Sequence, residues 1–174
     1  MTYEEAAAAV TPGLYRHFKG NYYRVLSIAR HSETTEPMVV YQALYGNGGI
    51  WVRPADMWDE TVERDGKVFR RFEPLDRVGR VAFYEQIFDE VRSMSPEAAF
   101  GEATSGEAAS GETVSREAAS GEEIQMKVRL LDEYYTSGEW QKDYEADEAG
   151  LFPADMKRGI LSQDGLYDFL MKIT

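Results

Sequence analysis

Ionisable side chains gather at turns and segment ends in the first third of the chain. His17 and Lys19 flank the turn HFKG. His31 and Glu33 follow the next alternating run, and Arg53 ends a third run, WVRP. Lysine and arginine bind phosphate and carboxylate groups, and histidine changes its charge near neutral pH. Brought together at strand ends, these residue types predict a small basic pocket that binds an anion.

Two aromatic residues in the same segments extend this prediction. The rings of Tyr41 and Trp51 could stack on a planar group such as a nucleotide base. Two other interpretations stay open: a protein-docking surface, or ordinary core and rim residues of a small β domain. The candidate ligand-binding residues are His17, Lys19, His31, Glu33, Tyr41, Trp51 and Arg53.

Catalysis is a weaker interpretation of the same residues. In an extended His31-Ser32-Glu33 segment the serine points away from its two neighbours, which argues against a Ser-His dyad. A metal site built from His17, His31 and Glu33 lacks ligand spacing of the HExxH kind, and the nearby cations would repel a metal. No catalytic residue, metal or cofactor is predicted. Acid-base chemistry by the two histidines on a phosphate ester remains an alternative, after a protein-protein adaptor.

Alternating residues and turn signals predict short strands in this region. Residues 22–29, 38–45 and 50–53 alternate with period two, and Asp65-Gly66 between two valines is a strong hairpin signal. Gly20-Asn21 and the run from Gly46 to Gly49 predict tight connections. Five short strands in about sixty residues favour a small closed or partly open barrel of the SH3-like type.

Helical periodicity begins after these strands. Val81, Tyr84, Phe88 and Val91 share one face of a helix that we expect to pack on the barrel. Ser120 with Glu123 forms a capping box for a second helix, with Ile124, Val128, Leu131 and Tyr135 on one face. Ser137 begins a third helix, which Gly150 ends, and Ser162 begins a fourth.

A pentad repeat separates the two regions. Residues 96–122 read PEAAFGEATSGEAASGETVSREAASGE, in which small residues and a glutamate in every pentad leave no apolar stripe. The repeat therefore predicts a flexible linker. Further along, DYEADEAG is rich in carboxylates, but counted from Asp143 the sixth residue is Glu148 and the twelfth Ala154, so the calcium-binding EF-hand template fails. A self-paired acidic helix face, answered by the basic MKRG turn, is favoured over a partner-docking face.

The composition of the chain limits the kinds of partner and cellular location that we expect for the protein. The 174 residues carry a formal charge of −12, and 43% are hydrophobic, which is enough for packed cores. Residues 11–81 have 11 basic and 9 acidic side chains (+2), whereas residues 82–174 have 8 and 20 (−12). We therefore expect neither nucleic acid nor an anionic membrane as a partner. There is no cysteine, and the acidic N-terminus is unlike a signal peptide, so a cytoplasmic, prokaryotic protein is expected.

Two stretches resemble known families. The run YRHFKGNYYRVLSIARHSE, followed by VVYQALY and WVRPADMW, resembles domain-of-unknown-function family 1653 over about residues 11–75. That resemblance also implies the SH3-like fold. The run YYTSGEWQKDYEADEAGLFPADMKRGILSQD resembles domain-of-unknown-function family 4298 over about residues 128–170.

The expected organisation has three parts and belongs to the α+β class. Residues 11–94 form the SH3-like β barrel with its trailing helix, residues 95–122 form the linker, and residues 123–174 form an acidic helical domain. The predicted function is recognition without catalysis, with a small anionic or nucleotide-like ligand, or else a protein, as the partner.

Overall fold

The computed structural model describes residues 1–93, 111–162 and 164–173, and it divides into two compact units. Unit 1 comprises Met1–Leu75 and unit 2 comprises Asp76–Thr174. Unit 1 is built on an antiparallel sheet and unit 2 on helices, which confirms the α+β class. Within the described ranges, no helix combines the length and apolar composition needed to cross a bilayer.

Unit 1 begins with a short helix that the sequence analysis did not predict. Helix α1 (Tyr3–Ala9) has a capping box in which the Thr2 side chain accepts from the Glu5 backbone, while Glu5 accepts from Thr2. Ala6 and Val10 are buried against the sheet. The N-terminal unit therefore extends to Met1 rather than beginning at residue 11.

The strands of unit 1 form an open sheet and a separate hairpin. They are β1 (Gly13–His17), β2 (Tyr22–Arg30), β3 (Pro37–Ala43), β4 (Ile50–Pro54), β5 (Thr61–Arg64), β6 (Lys67–Arg70) and β7 (Phe72–Pro74), with helix α2 (Ala55–Trp58) between β4 and β5. The sheet order is β4-β3-β2-β1-β7, and β5 pairs only with β6 among the described strands.

The predicted barrel is not closed, and the SH3-like fold is not confirmed. After β4 the chain turns into α2 and then into the β5–β6 hairpin, so these strands pair with each other instead of joining β4 to β7. The hairpin itself was predicted correctly: Asp65 (φ 52°) and Gly66 (φ 70°) both adopt the left-handed conformation that a two-residue turn requires.

Unit 2 contains four α-helices and one turn of 3₁₀ helix within the described residues. They are α3 (Arg77–Ser93), α4 (Gly111–Thr136), α5 (Glu139–Glu148), η1 (Gly159–Leu161) and α6 (Gly165–Ile173). The structure assigns α3 to this unit and not to the sheet, which differs from the predicted boundary. The stacked rings of Tyr84 and Tyr134, 3.9 Å apart, are one reason, since they bury α3 against α4.

The start of α4 also differs from the prediction. The helix includes Ser120 and Glu123, which were expected to cap its first turn, and it is described from Gly111 onwards. Alanine, glutamate and arginine are strong helix formers, so residues next to a helix fixed by packing extend it at little cost. The expected linker thus overlaps α4 from residue 111, and residues 95–110 of it lie outside the described part of the chain.

Candidate functional site

Side chains from five strands and α2 share one face of the sheet in unit 1. In a strand every second residue points to the same side, so Tyr15 and His17 share a face, as do Trp51 and Arg53. The register places His17 beside Phe72, Tyr41 beside Trp51, and Val39 beside Arg53. This face carries the core residues Tyr15, Val25, Val39 and Phe72 beneath α1 and α2.

His17 lies at the rim of this face, partly buried among rings. Its imidazole is 4.8 Å from the Phe72 ring centroid, and its Nδ1 accepts a long hydrogen bond from the Lys19 backbone, at 3.4 Å. Burial lowers the pKa of His17, and the positive charges of Arg71, Lys19 and Arg53 lower it further. The imidazole is therefore neutral at neutral pH and has three cations around it.

Arg53 reaches the same Phe72 ring from strand β4. Its guanidinium carbon is 5.9 Å from the ring centroid, and its Nε donates to the Met57 carbonyl at 3.3 Å. Burial raises the pKa of Tyr41, and the neighbouring Arg53 opposes this shift. No carboxylate pairs with Arg53 among the described residues, so its charge is partly buried without an acidic partner.

Lys19 and Arg71 complete the positive rim in different ways. The Lys19 ammonium is exposed and lies 5.7 Å from the Phe18 ring centroid, again without a carboxylate among the described residues. Arg71, in contrast, donates twice to Glu60, at 2.9 and 3.2 Å. Lys19 and Arg53 are thus the two cations of this rim that an external anion could neutralise.

Two tyrosines that the sequence analysis did not include, Tyr23 and Tyr45, contact each other, and Tyr23 contacts Tyr41. The hydroxyl oxygens of Tyr23 and Tyr45 are 2.9 Å apart, and the Tyr23 and Tyr41 rings meet at 5.6 Å. Burial, together with the Tyr45 hydroxyl, raises the pKa of Tyr23 to about 12. Tyr23 and Tyr45 belong to the alternating runs of residues 22–29 and 38–45, and the pairing of these runs in one sheet is the signal that could have identified them.

Trp51 is the exposed aromatic residue of the site. It is 60% exposed, and its Nε1 lies close enough to Gly49 that a Cβ there would stand 3.1 Å from it. A side chain at position 49 would therefore displace the indole. Trp58 of α2, by contrast, is 1% exposed and stacks on Phe72 at 3.8 Å. It is a core residue, and its Nε1 has no hydrogen-bond partner among the described residues.

His31 and Glu33 do not join this site. His17 lies at the β1–β2 turn, whereas His31 follows the other end of β2, a strand of nine residues that spans roughly 30 Å. The His31 Nδ1 accepts from the backbone N–H groups of Glu33 and Thr34, both at 3.3 Å, so it stabilises the β2–β3 turn. The structure thus brings together five of the seven candidate residues: His17, Lys19, Tyr41, Trp51 and Arg53.

This separation also removes the geometric basis of the two catalytic alternatives. His17, His31 and Glu33 cannot bind one metal ion across the length of β2, and the two histidines cannot act on one substrate. Within the described residues, no group of three histidine, aspartate or glutamate side chains is placed to bind a metal.

The acidic run of unit 2 is paired internally. Asp143 is fully buried and accepts from Arg80 at 2.9 and 2.5 Å and from the Tyr134 hydroxyl at 2.8 Å. Hydrogen bonding to Asp143 raises the pKa of Arg80. Asp147 pairs with Arg158 of the MKRG turn at 2.6 Å. These contacts are those of a structural network, with Arg80 of α3 as the main partner, and not of a calcium site.

The MKRG turn continues into η1, which is bound from two sides. The buried Glu85 of α3 accepts from the Ile160 backbone N–H at 2.7 Å, and the Trp140 indole donates to the Ile160 carbonyl at 2.9 Å. A Cβ at Gly159 would stand 3.3 Å from the Glu85 carboxylate, so glycine allows this close approach. Lys157 adds an ion pair with Asp89.

Comparison with protein families agrees with this division. Residues 13–74 match the model described as a protein of unknown function, DUF1653, and residues 112–174 match the domain of unknown function DUF4298. The chain joins a DUF1653 domain to a DUF4298 domain. A crystal structure of a DUF1653 protein from Bordetella bronchiseptica is 38% identical, covering 39% of this chain and 90% of its own, with a TM-score of 0.37. No curated protein matches the chain.

The matched ranges clarify two boundaries. The match to DUF4298 begins at residue 112, so it includes the part of the pentad repeat that forms the first turns of α4. Helix α3 lies between the two matched ranges and packs on the DUF4298 helices, where it supplies Arg80, Tyr84 and Glu85. The small helical domain thus gains its core partner from the segment just before the repeat.

Proposed function

We propose that the DUF1653 domain binds a small anionic ligand with a planar group, such as a nucleotide. One observation carries the proposal: Arg53 and Lys19 border a neutral histidine on an aromatic face, and neither has a carboxylate partner among the described residues.

The charge arrangement favours an anion over other ligands. Positive charges that surround a partly buried neutral group repel one another, and an anion placed between them would relieve this repulsion. Arg53 has a planar fork suited to a phosphate or carboxylate, while Lys19 supplies a mobile point charge on the rim. Because the Nδ1 of the neutral His17 accepts from the Lys19 backbone, its Nε2–H could donate one hydrogen bond to the ligand.

The aromatic side chains favour a planar group on the same ligand. Trp51 presents an exposed ring next to Tyr41 across the β3–β4 ladder, with Arg53 two residues further along the same face. A base that stacks on Trp51 would place its attached phosphate towards the cations. Stacking on an aromatic side chain contributes about 1–3 kcal/mol per base.

NMR titration of the full-length ¹⁵N-labelled protein tests this proposal with three probes: adenosine 5′-monophosphate, adenosine and inorganic phosphate. We expect saturable shifts of the Trp51 indole and Arg53 Nε signals with the monophosphate, and weaker binding of the other two. Arg53→Gln should weaken monophosphate binding about tenfold or more, since a hydrogen bond to a charged group contributes about 1.5–3 kcal/mol.

Arg16→Gln is the matched control. Arg16 neighbours His17 in β1 but points to the opposite face, where it contacts Tyr22, so the variant loses the same charge outside the site. Equal losses of monophosphate affinity in the two variants would mean that the net charge of the protein, and not a specific contact of Arg53, determines binding. No saturable shift with any of the three probes would overturn the proposal for nucleotide-like ligands.

A further inference from the structure

The two edges of the DUF1653 sheet differ in what they offer to another strand. Along an antiparallel strand, alternate residues direct their N–H and C=O groups to the neighbouring strand. The Ala43 N–H donates to the Gly49 carbonyl, so Gly49, Trp51 and Arg53 face β3. Ile50 and Val52 therefore direct two N–H and two C=O groups outward, and these groups have no partner among the described residues.

The opposite edge of the sheet is protected against pairing with another strand. Strand β7 has three residues, and the Leu75 N–H donates to the Leu14 carbonyl, which sets Phe72 and Pro74 facing outward. Proline has no N–H, and a short edge strand with proline is a common protection against pairing. Strand β4 has a proline only at its last residue, Pro54. Before it, Ile50, Trp51 and Val52 form an uncharged row and are 65%, 60% and 61% exposed.

We propose that two copies of this chain associate through their β4 strands, which pair antiparallel about a twofold axis at Trp51. In this register Ile50 of each copy exchanges both backbone hydrogen bonds with Val52 of the other, so all four outward groups of each edge are satisfied. The two Trp51 side chains lie side by side on the aromatic face, and isoleucine meets valine on the other face.

The sequence around Trp51 fits a second copy better than an unrelated strand. The twofold register sets Arg53 opposite Gly49, so the two arginines do not face each other. Pro54, which cannot donate, falls outside the four-bond ladder. A self-complementary patch of this kind is what an isologous dimer interface requires. The ladder is short, so association should depend on protein concentration.

Sedimentation velocity of the full-length protein tests the proposal, over concentrations up to about 0.5 mM, a range that detects weak association through small interfaces. Wild type should shift from monomer to dimer. Val52→Lys should remain monomeric because it places a like charge in both copies of the edge. Val68→Lys is the matched control: Val68, on the separate β6 hairpin, is 68% exposed, and its replacement should leave the dimer intact.

Hydrogen exchange of the wild-type protein reports the register without any substitution. The Ile50 and Val52 amides should exchange fast in dilute protein and slowly at high concentration, while the Trp51 and Arg53 amides stay protected at both. A wild type that is monomeric at every concentration would overturn the proposal. A dimer that survives Val52→Lys, or one that leaves the Ile50 and Val52 amides unprotected, would place the interface elsewhere and overturn it as well.

Discussion

The cations of the two units differ in what they contact. In unit 2, Arg80 binds Asp143 and Glu139, Lys127 binds Glu90 and Glu123, and Arg158 binds Asp147. In unit 1, Arg53 and Lys19 contact aromatic rings and a backbone carbonyl, with no carboxylate partner among the described residues. These three cations of the acidic unit therefore stabilise its own helices, whereas Arg53 and Lys19 of the N-terminal unit remain available to a ligand.

This difference shows why a count of charges does not locate a binding site. Unit 2 contains the densest run of ionisable residues, DYEADE, yet its first carboxylate, Asp143, is fully buried and accepts three hydrogen bonds. Unit 1 is nearly neutral overall, yet its cations border an aromatic surface. What marks a candidate site is a charge that lacks a partner within the protein, because a ligand can supply one.

The largest expected effect comes from removing a buried ion pair of unit 2. Asp143→Ala removes a carboxylate that accepts three hydrogen bonds and leaves the partly buried Arg80 with less compensation. Loss of one partner from a buried ion pair costs about 3–5 kcal/mol, which should unfold unit 2 or nearly so. Chemical denaturation followed by circular dichroism at 222 nm measures the loss.

Asp132→Ala is the matched control for this substitution. Asp132 is an exposed aspartate of α4, and its replacement should change the unfolding free energy by less than about 0.5 kcal/mol. If Asp143→Ala is as mild as Asp132→Ala, the buried network does not stabilise unit 2 and the contrast between the units disappears.

Tyr134→Phe should have a smaller effect in the same network. The ring stays stacked on Tyr84, and one hydrogen bond to the Asp143 carboxylate is lost, at a cost of about 1–2 kcal/mol. Burial, and then the charge of Asp143, raise the pKa of Tyr134, so its hydroxyl stays protonated and can donate even at alkaline pH. A stability loss that vanished between pH 9 and 10, where ordinary tyrosines begin to ionise, would contradict this role.

Much of the local structure could be predicted from the sequence. Alternation and the Asp65-Gly66 turn predicted β2, β3, β4 and the β5–β6 hairpin, but not β1 or β7, and helical periodicity predicted α3. The partners of these elements could not be predicted in the same way. Whether α3 packs on the sheet or on α4 depends on contacts such as the Tyr84–Tyr134 stack, which link residues far apart in sequence. The same limit applies to the barrel, since closure depends on which edges pair.

The candidate site was predicted in part for a similar reason. Arg53 was selected as a cation at a strand end, and Trp51 and Tyr41 as aromatic residues of the same segments; the β3–β4 register places all three on one face. His31 was also selected because it follows an alternating run. In the antiparallel sheet, however, His17 lies near the start of β2 and His31 lies just after its end. Tyr23 and Tyr45 were missed because their proximity to Tyr41 depends on how the strands pair, which the sequence alone does not give.

The smallest expected effect concerns the cations around His17 in unit 1, and it is tested through the pKa of His17. Burial and the three nearby cations lower this pKa in the folded state, so the unfolded chain takes up a proton near pH 6.5 while the folded chain does so only at lower pH. The contribution of His17 to stability is therefore present above pH 6.5 and is lost as the pH falls towards the folded pKa. Because the side chain is only partly buried, the loss should be a few tenths of a kcal/mol.

NMR titration of the His17 imidazole gives this pKa directly, and we expect a midpoint below 6.5. Denaturation at pH 7.5 and 5.0 should show that wild type loses slightly more stability on acidification than His17→Gln does. A His17 midpoint at or above 6.5 would mean that carboxylates balance Arg53 and Lys19 after all. The N-terminal unit would then resemble unit 2, and its surface would have no charge left for an anionic ligand.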